Sequence, residues 1–113
     1  MVGQVVSRLL VREGYEVHVE TDPARALERT RSEPFAAVIT DHSMPGMTGV
    51  ELARQLRADG LRIPILLCSG DVTACGDTTG VDAVLAKPVD FTVLRQRLAA
   101  LLSGSREDQP RSD

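Results

Sequence analysis

Hydrophobic and polar positions follow two periods along this chain, one typical of helices and one typical of strands. The first dozen residues place valines and leucines at helical spacing, and Gly14 ends this segment. The segment YEVHVE then alternates as a half-buried strand does. Asp22 and Pro23 follow as an N-cap and a first helical residue, so a second helix is predicted over ARALERTRSE.

Three short stretches are apolar almost throughout, namely AAVIT, IPILLCS and VDAVLA. This pattern is typical of strands that are buried on both faces of a parallel sheet. Between the first two, Thr48 and Glu51 form a capping box for a helix that should run to about Asp59, where Gly60 stops it.

The stretch 70-GDVTACGDTTG-80 is poor in helix formers, so any helix there should be short or broken. Asp90 caps a final amphipathic helix. The alternation of strands and helices predicts an α/β domain with a doubly wound parallel sheet covered on both faces. We expect this domain to span residues 1–103 and a disordered polar tail to span residues 104–113.

Length, composition and net charge exclude several classes of protein for this chain. With 113 residues and 42% hydrophobic residues, the chain is expected to form one domain with a real core. A net charge of −3 argues against direct nucleic-acid binding. No apolar run approaches the ~18 residues of a membrane span, so we expect no membrane association and a cytoplasmic location. Cys68 and Cys75 form no disulfide framework; Cys68 is predicted to be a core residue.

Chemistry-bearing side chains stand at the ends of the three apolar strands. Asp41, Ser69 and Lys87 each come at the carboxyl end of a different strand, where sites form in parallel α/β sheets. A carboxylate can attack phosphorus and become an acyl phosphate. A fixed ammonium and a hydroxyl can hold the phosphoryl oxygens, and a divalent metal would normally supply the remaining positive charge.

These residues lie in motifs that, taken in order, resemble a known family. TDHSMPGMTGVEL, CSG and AKP resemble the acceptor-aspartate, hydroxyl and Lys-Pro segments of the receiver domain of two-component response regulators. Asp41 and Ser69 are 28 positions apart, and Ser69 and Lys87 are 18 apart, which fits that family. The resemblance covers residues 2 to about 102 and implies a flavodoxin-like receiver fold.

The resemblance implies a role for each matching residue. Asp41 would be the phosphoacceptor, Ser69 would contact the phosphoryl group, and Lys87 would pair first with the acceptor and then with the phosphate. Pro88 would hold the Lys87 loop by a cis peptide bond. Asp41 and the backbone carbonyl of Ser43 would be ligands of Mg²⁺.

The same resemblance implies a turn after the acceptor aspartate and a class of partner protein. Pro45 and Gly46 would make a rigid turn, and Gly49 would lie in the loop before the next helix. The phosphodonor would be a histidine kinase or a histidine phosphotransfer protein. Enzymatic activity would be limited to self-phosphorylation and self-dephosphorylation at Asp41.

The chain departs from the family pattern at its beginning. The family carries an acidic pair at the end of a first, central strand, but here the first helix begins directly after Met1, and both strand and acids are absent. We therefore expect weak Mg²⁺ binding and unpaired sheet edges, through which the chain could self-associate. Three explanations of the missing strand remain open. The chain is a fragment or has a misplaced start; a partner fills the gap or the second strand re-pairs; or the chain is a degenerate receiver.

Two further departures concern the second half of the chain. The family's fourth helix is degraded over residues 70–80, and Val84 stands where many members have a switching aromatic residue. Both features resemble receivers attached to hybrid sensor kinases. His18 and His42 lack a ligand constellation and are interpreted as a strand residue and a loop residue.

Two alternatives to a phosphoacceptor function remain open. The first is a receiver-like interaction module that is not phosphorylated, which the missing acidic pair favours. The second is a haloacid-dehalogenase-like phosphohydrolase, but Ser43 stands where that family has its general acid.

Overall fold

A computed structural model describes residues 4–44 and 46–105 of the chain. In chain order the elements are α1 (Gln4–Arg12), α2 (Pro23–Ser32), β1 (Val38–Asp41), α3 (Gly49–Ala58), β2 (Ile65–Ser69), a 3-10 helix (Val72–Cys75), β3 (Ala83–Ala86), α4 (Phe91–Ala100) and a π-helical turn (Leu101–Ser105). None of the helices in this part of the chain has the length and apolar character that a membrane crossing requires.

The three strands form one parallel sheet in the order β1-β2-β3. Every residue of β2 is buried, and alternate side chains of this strand enter different core clusters. Leu66 and Cys68 pack with α1 and α4, whereas Ile65 packs with α2 and α3. Helices therefore cover both faces of the sheet, which confirms the predicted doubly wound α/β architecture.

The local helix signals in the sequence are confirmed where they can be checked. Thr48 and Glu51 form both hydrogen bonds of the capping box, and α3 ends before Gly60, whose φ is +89°. Asp22 and Asp90 accept backbone N–H groups at the starts of α2 and α4. Residues 70–80 contain only the short 3-10 helix, as their composition predicts.

The predicted strand YEVHVE is wrong, since residues 15–20 form no strand in the structure. Tyr15 and Val17 still pack against the cluster formed with α1 and α4, so part of the predicted alternation survives. A strand also needs a hydrogen-bonded neighbour, and β1 pairs only with β2 in the described sheet. The alternating pattern predicted the partial burial of Tyr15 and Val17 but not the exposure of Val19, and it could not supply a partner strand.

The ends of the chain lie partly outside the described residues. No strand precedes β1 in residues 4–37. The predicted loss of the first strand concerns the chain before α1 and stays a prediction. Residues 104 and 105 continue the helical backbone in the π-helical turn, and residues 106–113 of the predicted disordered tail lie outside the description. The domain boundary at residue 103 stays a prediction.

Candidate functional site

The carboxyl ends of the three strands meet at one edge of the sheet. Asp41 is paired in register with Cys68, and Ser69 with Ala86. The N–H of Lys87 then donates to the carbonyl of Ser69 at 2.8 Å, so the ladder continues one residue past β3. The backbone register alone thus brings the three residues singled out in the sequence to neighbouring strand ends.

Asp41 and Lys87 make direct contact. Lys87 Nζ lies 2.7 Å from Asp41 Oδ1, and the lysine follows β3, two strands away from Asp41. Asp41 is only 6% exposed, whereas the Lys87 side chain keeps 31% of its surface in solvent. The hydrogen bond to Asp41 raises the pKa of Lys87, so the ammonium form is held at this position.

Ser69 is buried beside this pair, but its hydroxyl is bonded to the following loop. Ser69 Oγ donates to the carbonyl of Asp71 at 2.9 Å and accepts the Asp71 N–H at 3.1 Å. The Asp71 carboxylate in turn caps the 3-10 helix, and its bond from the Thr73 hydroxyl is the main cause of its lowered pKa. Ser69 therefore belongs to the edge of the site and holds the loop that follows it.

Gly49 is a site residue that sequence reasoning placed only in a loop. It is the first residue of α3, and its N–H donates to the carbonyl of His42 at 2.8 Å. A Cβ at this position would lie 2.5 Å from the Asp41 carbonyl oxygen and would also clash with the Leu67 side chain. The sequence offered one signal of this close approach: a glycine directly follows the capping threonine, although a helix start does not itself require glycine.

Some of the predictions for the turn between Asp41 and α3 are not tested by the structure. Ser43 is exposed directly after the buried strand end, and Pro45 lies outside the described residues. Gly46 has a φ of +80°, which agrees with the predicted turn. His42 is half-buried, and its Nδ1 is buried with no hydrogen-bond partner in the described part of the chain.

The Lys87-Pro88 peptide bond is cis, as the Lys-Pro segment implied. Behind the Asp41–Lys87 pair, the Cys68 thiol is fully buried, and its pKa is raised to about 11 by burial and then by the negative charge of Asp41. This sulfur is a core atom, as predicted.

The donor set fits a Mg²⁺ ion only in part. Within residues 4–44 and 46–105, no three His, Cys, Asp or Glu side chains gather as a metal site. Asp41 brings one carboxylate, which already contacts the Lys87 ammonium. Mg²⁺ commonly uses one or two carboxylates together with phosphate oxygens and water, so these residues do not complete a metal site by themselves.

The fold and the strand-end site agree with a known family. The family model of the response regulator receiver domain matches residues 1–99, and the chain belongs to this family. Its members are signalling modules of two-component systems. The chain can therefore be described as a receiver domain with a flavodoxin-like fold.

Two curated relatives with different printed names match most of this chain. The chain is 38% identical over 112 residues to the sensory/regulatory protein RpfC of Xanthomonas campestris pv. campestris, covering 91% of this chain and 15% of RpfC. It is 34% identical over 104 residues to the transcriptional regulatory protein TctD of Salmonella typhimurium, covering 88% of this chain and 46% of TctD. The chain thus spans less than half of either relative.

A solved structure shares both the fold and the sequence pattern. The response regulator TrrA of Thermotoga maritima, in complex with Mg²⁺ and BeF, superposes with a TM-score of 0.79 at 26% identity. The match covers 86% of each chain.

Proposed function

We propose that this receiver domain accepts a phosphoryl group on Asp41 from a phosphohistidine of a histidine kinase or phosphotransfer protein. The observation that carries the proposal is the buried Asp41 carboxylate, held 2.7 Å from the Lys87 ammonium at the carboxyl edge of a parallel sheet. The relative named as a sensory/regulatory protein is consistent with a receiver of the hybrid-sensor type.

In the proposed transfer, a carboxylate oxygen of Asp41 attacks phosphorus while the phosphorus–nitrogen bond of the donor breaks. The imidazole leaves with the electron pair of that bond and takes a proton from solvent, and Asp41 becomes an acyl phosphate. The product carries more negative charge than the carboxylate, so the fixed ammonium of Lys87 stabilises it. Ser69 lies at the adjacent strand end and would contact a phosphoryl oxygen only after its hydroxyl leaves the Asp71 backbone.

Mg²⁺ would add positive charge at the phosphoryl oxygens, with Asp41 and the Ser43 carbonyl as its protein ligands. Because the described residues provide an incomplete donor set, we expect weak Mg²⁺ binding by this chain and derive no step through the metal.

The test compares two aspartates at the same edge of the sheet. The chain is incubated with a small-molecule phosphodonor, and acyl phosphate is measured by intact mass and by its sensitivity to hydroxylamine. Asp41→Asn should abolish labelling, whereas Asp71→Asn, which keeps an oxygen that can cap the 3-10 helix, should still be labelled.

Two results would contradict the proposal. Full labelling of the Asp41→Asn variant would place the acceptor elsewhere. A folded chain that takes no label from either a phosphodonor or a phosphorylated histidine protein would favour an interaction module that is not phosphorylated, for which the incomplete metal donor set is the supporting observation.

A further inference from the structure

The first hydrogen-bonded contact between β2 and β3 uses a side chain in place of a strand carbonyl. Ile65, the first residue of β2, is fully buried. Its carbonyl accepts the N–H of Asp82 at 2.8 Å, and its own N–H donates to Asp82 Oδ2, also at 2.8 Å. Because β3 begins only at Ala83, a carboxylate from outside the strand satisfies this buried backbone donor.

Arg57, in the last turn of α3, holds that carboxylate in place. Its Nη2 donates to Asp82 Oδ2 at 2.8 Å, and its Nε donates to the carbonyl of Gly80 at 3.0 Å. Its Nη1 donates to the carbonyls of Leu61 and Ile63, at 2.9 and 2.8 Å. Each nitrogen of the planar guanidinium is therefore bonded, and the group joins the segment before β2 to the segment before β3.

The register of β3 decides which face of the sheet Lys87 occupies. Within the described sheet β3 pairs only with β2, and it is 4 residues long. Ala83 and Leu85 pack in the core cluster that also holds Cys68. Lys87 continues their alternation, so it comes to the same face and contacts Asp41 there. A slip of one residue would turn Lys87 to the opposite face.

We propose that Asp82 is a positioning residue for phosphoryl transfer to Asp41, because it sets the register of β3 and thereby the place of Lys87. The inference rests on the proposed function for the transfer step, whereas the place of Lys87 is a property of the unphosphorylated chain. Without the Asp82 carboxylate, the buried N–H of Ile65 needs another acceptor. A backbone carbonyl of residues 80–82 that took its place would draw the start of β3 along β2, and Lys87 would move with it.

A second ion pair between α3 and the same loop supplies a matched control. Arg54 Nη2 lies 3.7 Å from Asp77 Oδ2, and the two side chains are 54% and 68% exposed. The Asp77 carboxylate accepts the N–H and the hydroxyl of Thr79, which belongs to the loop, and no described strand residue is among its recorded partners. Removal of this carboxylate should therefore loosen the loop without changing the pairing of β3 with β2.

The first experiment follows the Lys87 ammonium by NMR in the full chain at neutral pH. Lys87 is the only lysine, so protein labelled with ¹⁵N-lysine gives a single side-chain signal. The shift difference between wild type and Asp41→Asn defines complete loss of the charge contact. Asp82→Ala should move the signal by about half of this difference or more. Asp82→Asn, which keeps an oxygen for the Ile65 N–H, and Asp77→Ala should leave it near its wild-type position.

The second experiment labels the same variants with a small-molecule phosphodonor. Labelling of Asp41 should slow about tenfold in Asp82→Ala, because a displaced ammonium stabilises the developing negative charge less well. The rate should change at most about twofold in Asp77→Ala, whose ion pair is exposed. A merely stabilising role of Asp82 would move neither the Lys87 signal nor this rate in the folded variant.

Arg57→Gln and its control Arg54→Gln replace the alanine pair if Asp82→Ala does not fold, since glutamine cannot make all the contacts of the guanidinium. A folded Asp82→Ala or Arg57→Gln variant whose Lys87 signal and labelling rate match those of wild type would overturn the inference. A wild-type chain that takes no label, together with a displaced Lys87 signal in Asp82→Ala, would count against the proposed function and would support the assigned role of Asp82 in placing Lys87.

Discussion

The Asp41–Lys87 contact allows a quantitative prediction, because one partner is buried and the other is partly exposed. Lys87→Ala removes the ammonium from a carboxylate that is only 6% exposed. The lysine lies at a strand end, so the backbone of the sheet should persist in the variant. The perturbation therefore isolates the charge contact better than a change in the core would.

The expected loss of unfolding free energy is about 2 kcal/mol. Two unit charges about 4 Å apart interact by about 4 kcal/mol at an effective dielectric constant of about 20. The 31% exposure of the Lys87 side chain reduces this value by solvent screening. A hydrogen bond to a charged group contributes about 1.5–3 kcal/mol, which agrees with the reduced figure.

The pH dependence of this contribution has a definite sign. The folded pKa of Lys87 is raised above its ordinary value of 10.5 by the hydrogen bond to Asp41. The stabilisation is therefore complete below pH 10.5 and is lost as the pH rises through the higher folded pKa. Wild type and Lys87→Ala should converge in stability only in strongly alkaline solution.

The assay is a double-mutant cycle with Asp41→Asn and Lys87→Ala, measured by urea unfolding at pH 7. The control cycle uses Arg54 and Asp77, whose N–O distance is 3.7 Å and whose side chains are 54% and 68% exposed. The first pair should couple by about 2 kcal/mol and the control pair by at most about 0.5 kcal/mol. Equal coupling energies in the two cycles would refute the reasoning.

Three further predictions concern packing, pH and metal. Gly49→Ala should destabilise the chain by about 1–3 kcal/mol in urea melts, since its methyl group would meet the Asp41 carbonyl. The control variant Gly70→Ala has open space around the new methyl group and should cost at most about 0.5 kcal/mol. Similar losses in the two variants would contradict the steric argument. The raised pKa of Cys68 keeps the folded thiol protonated, so stability should fall as the pH rises from 9.0 to about 11, by on the order of 3 kcal/mol. Cys68→Ala should abolish the part of this fall between pH 9.0 and 10.5, below the range in which the Lys87 contribution is lost, and a retained slope there would exclude the thiol. In a Mg²⁺ titration followed by NMR, the Ser43 amide shift should not saturate below millimolar metal; earlier saturation would mean that another carboxylate reaches the site.

The sequence determined the capped helix starts and, apart from the strand predicted over residues 15–20, the order of the elements, because these depend on neighbouring residues. The Thr48–Glu51 capping box and the Asp90 cap need only three or four residues of local chain. The parallel sheet follows from apolar strands that alternate with helices, and it brings Asp41 and Lys87 to one edge. Their contact was therefore foreseeable from strand-end positions and from the family resemblance.

The tertiary structure decided those features that depend on distant partners. Residues 15–20 carry a strand pattern but form no strand, because a ladder needs a neighbour that the pattern cannot provide. The Ser69 hydroxyl bonds the Asp71 backbone, a choice set by the geometry of the loop and not by the residue type. Gly49 is confined by the Asp41 carbonyl and by Leu67 from the neighbouring strand, and only the packed fold brings those atoms together.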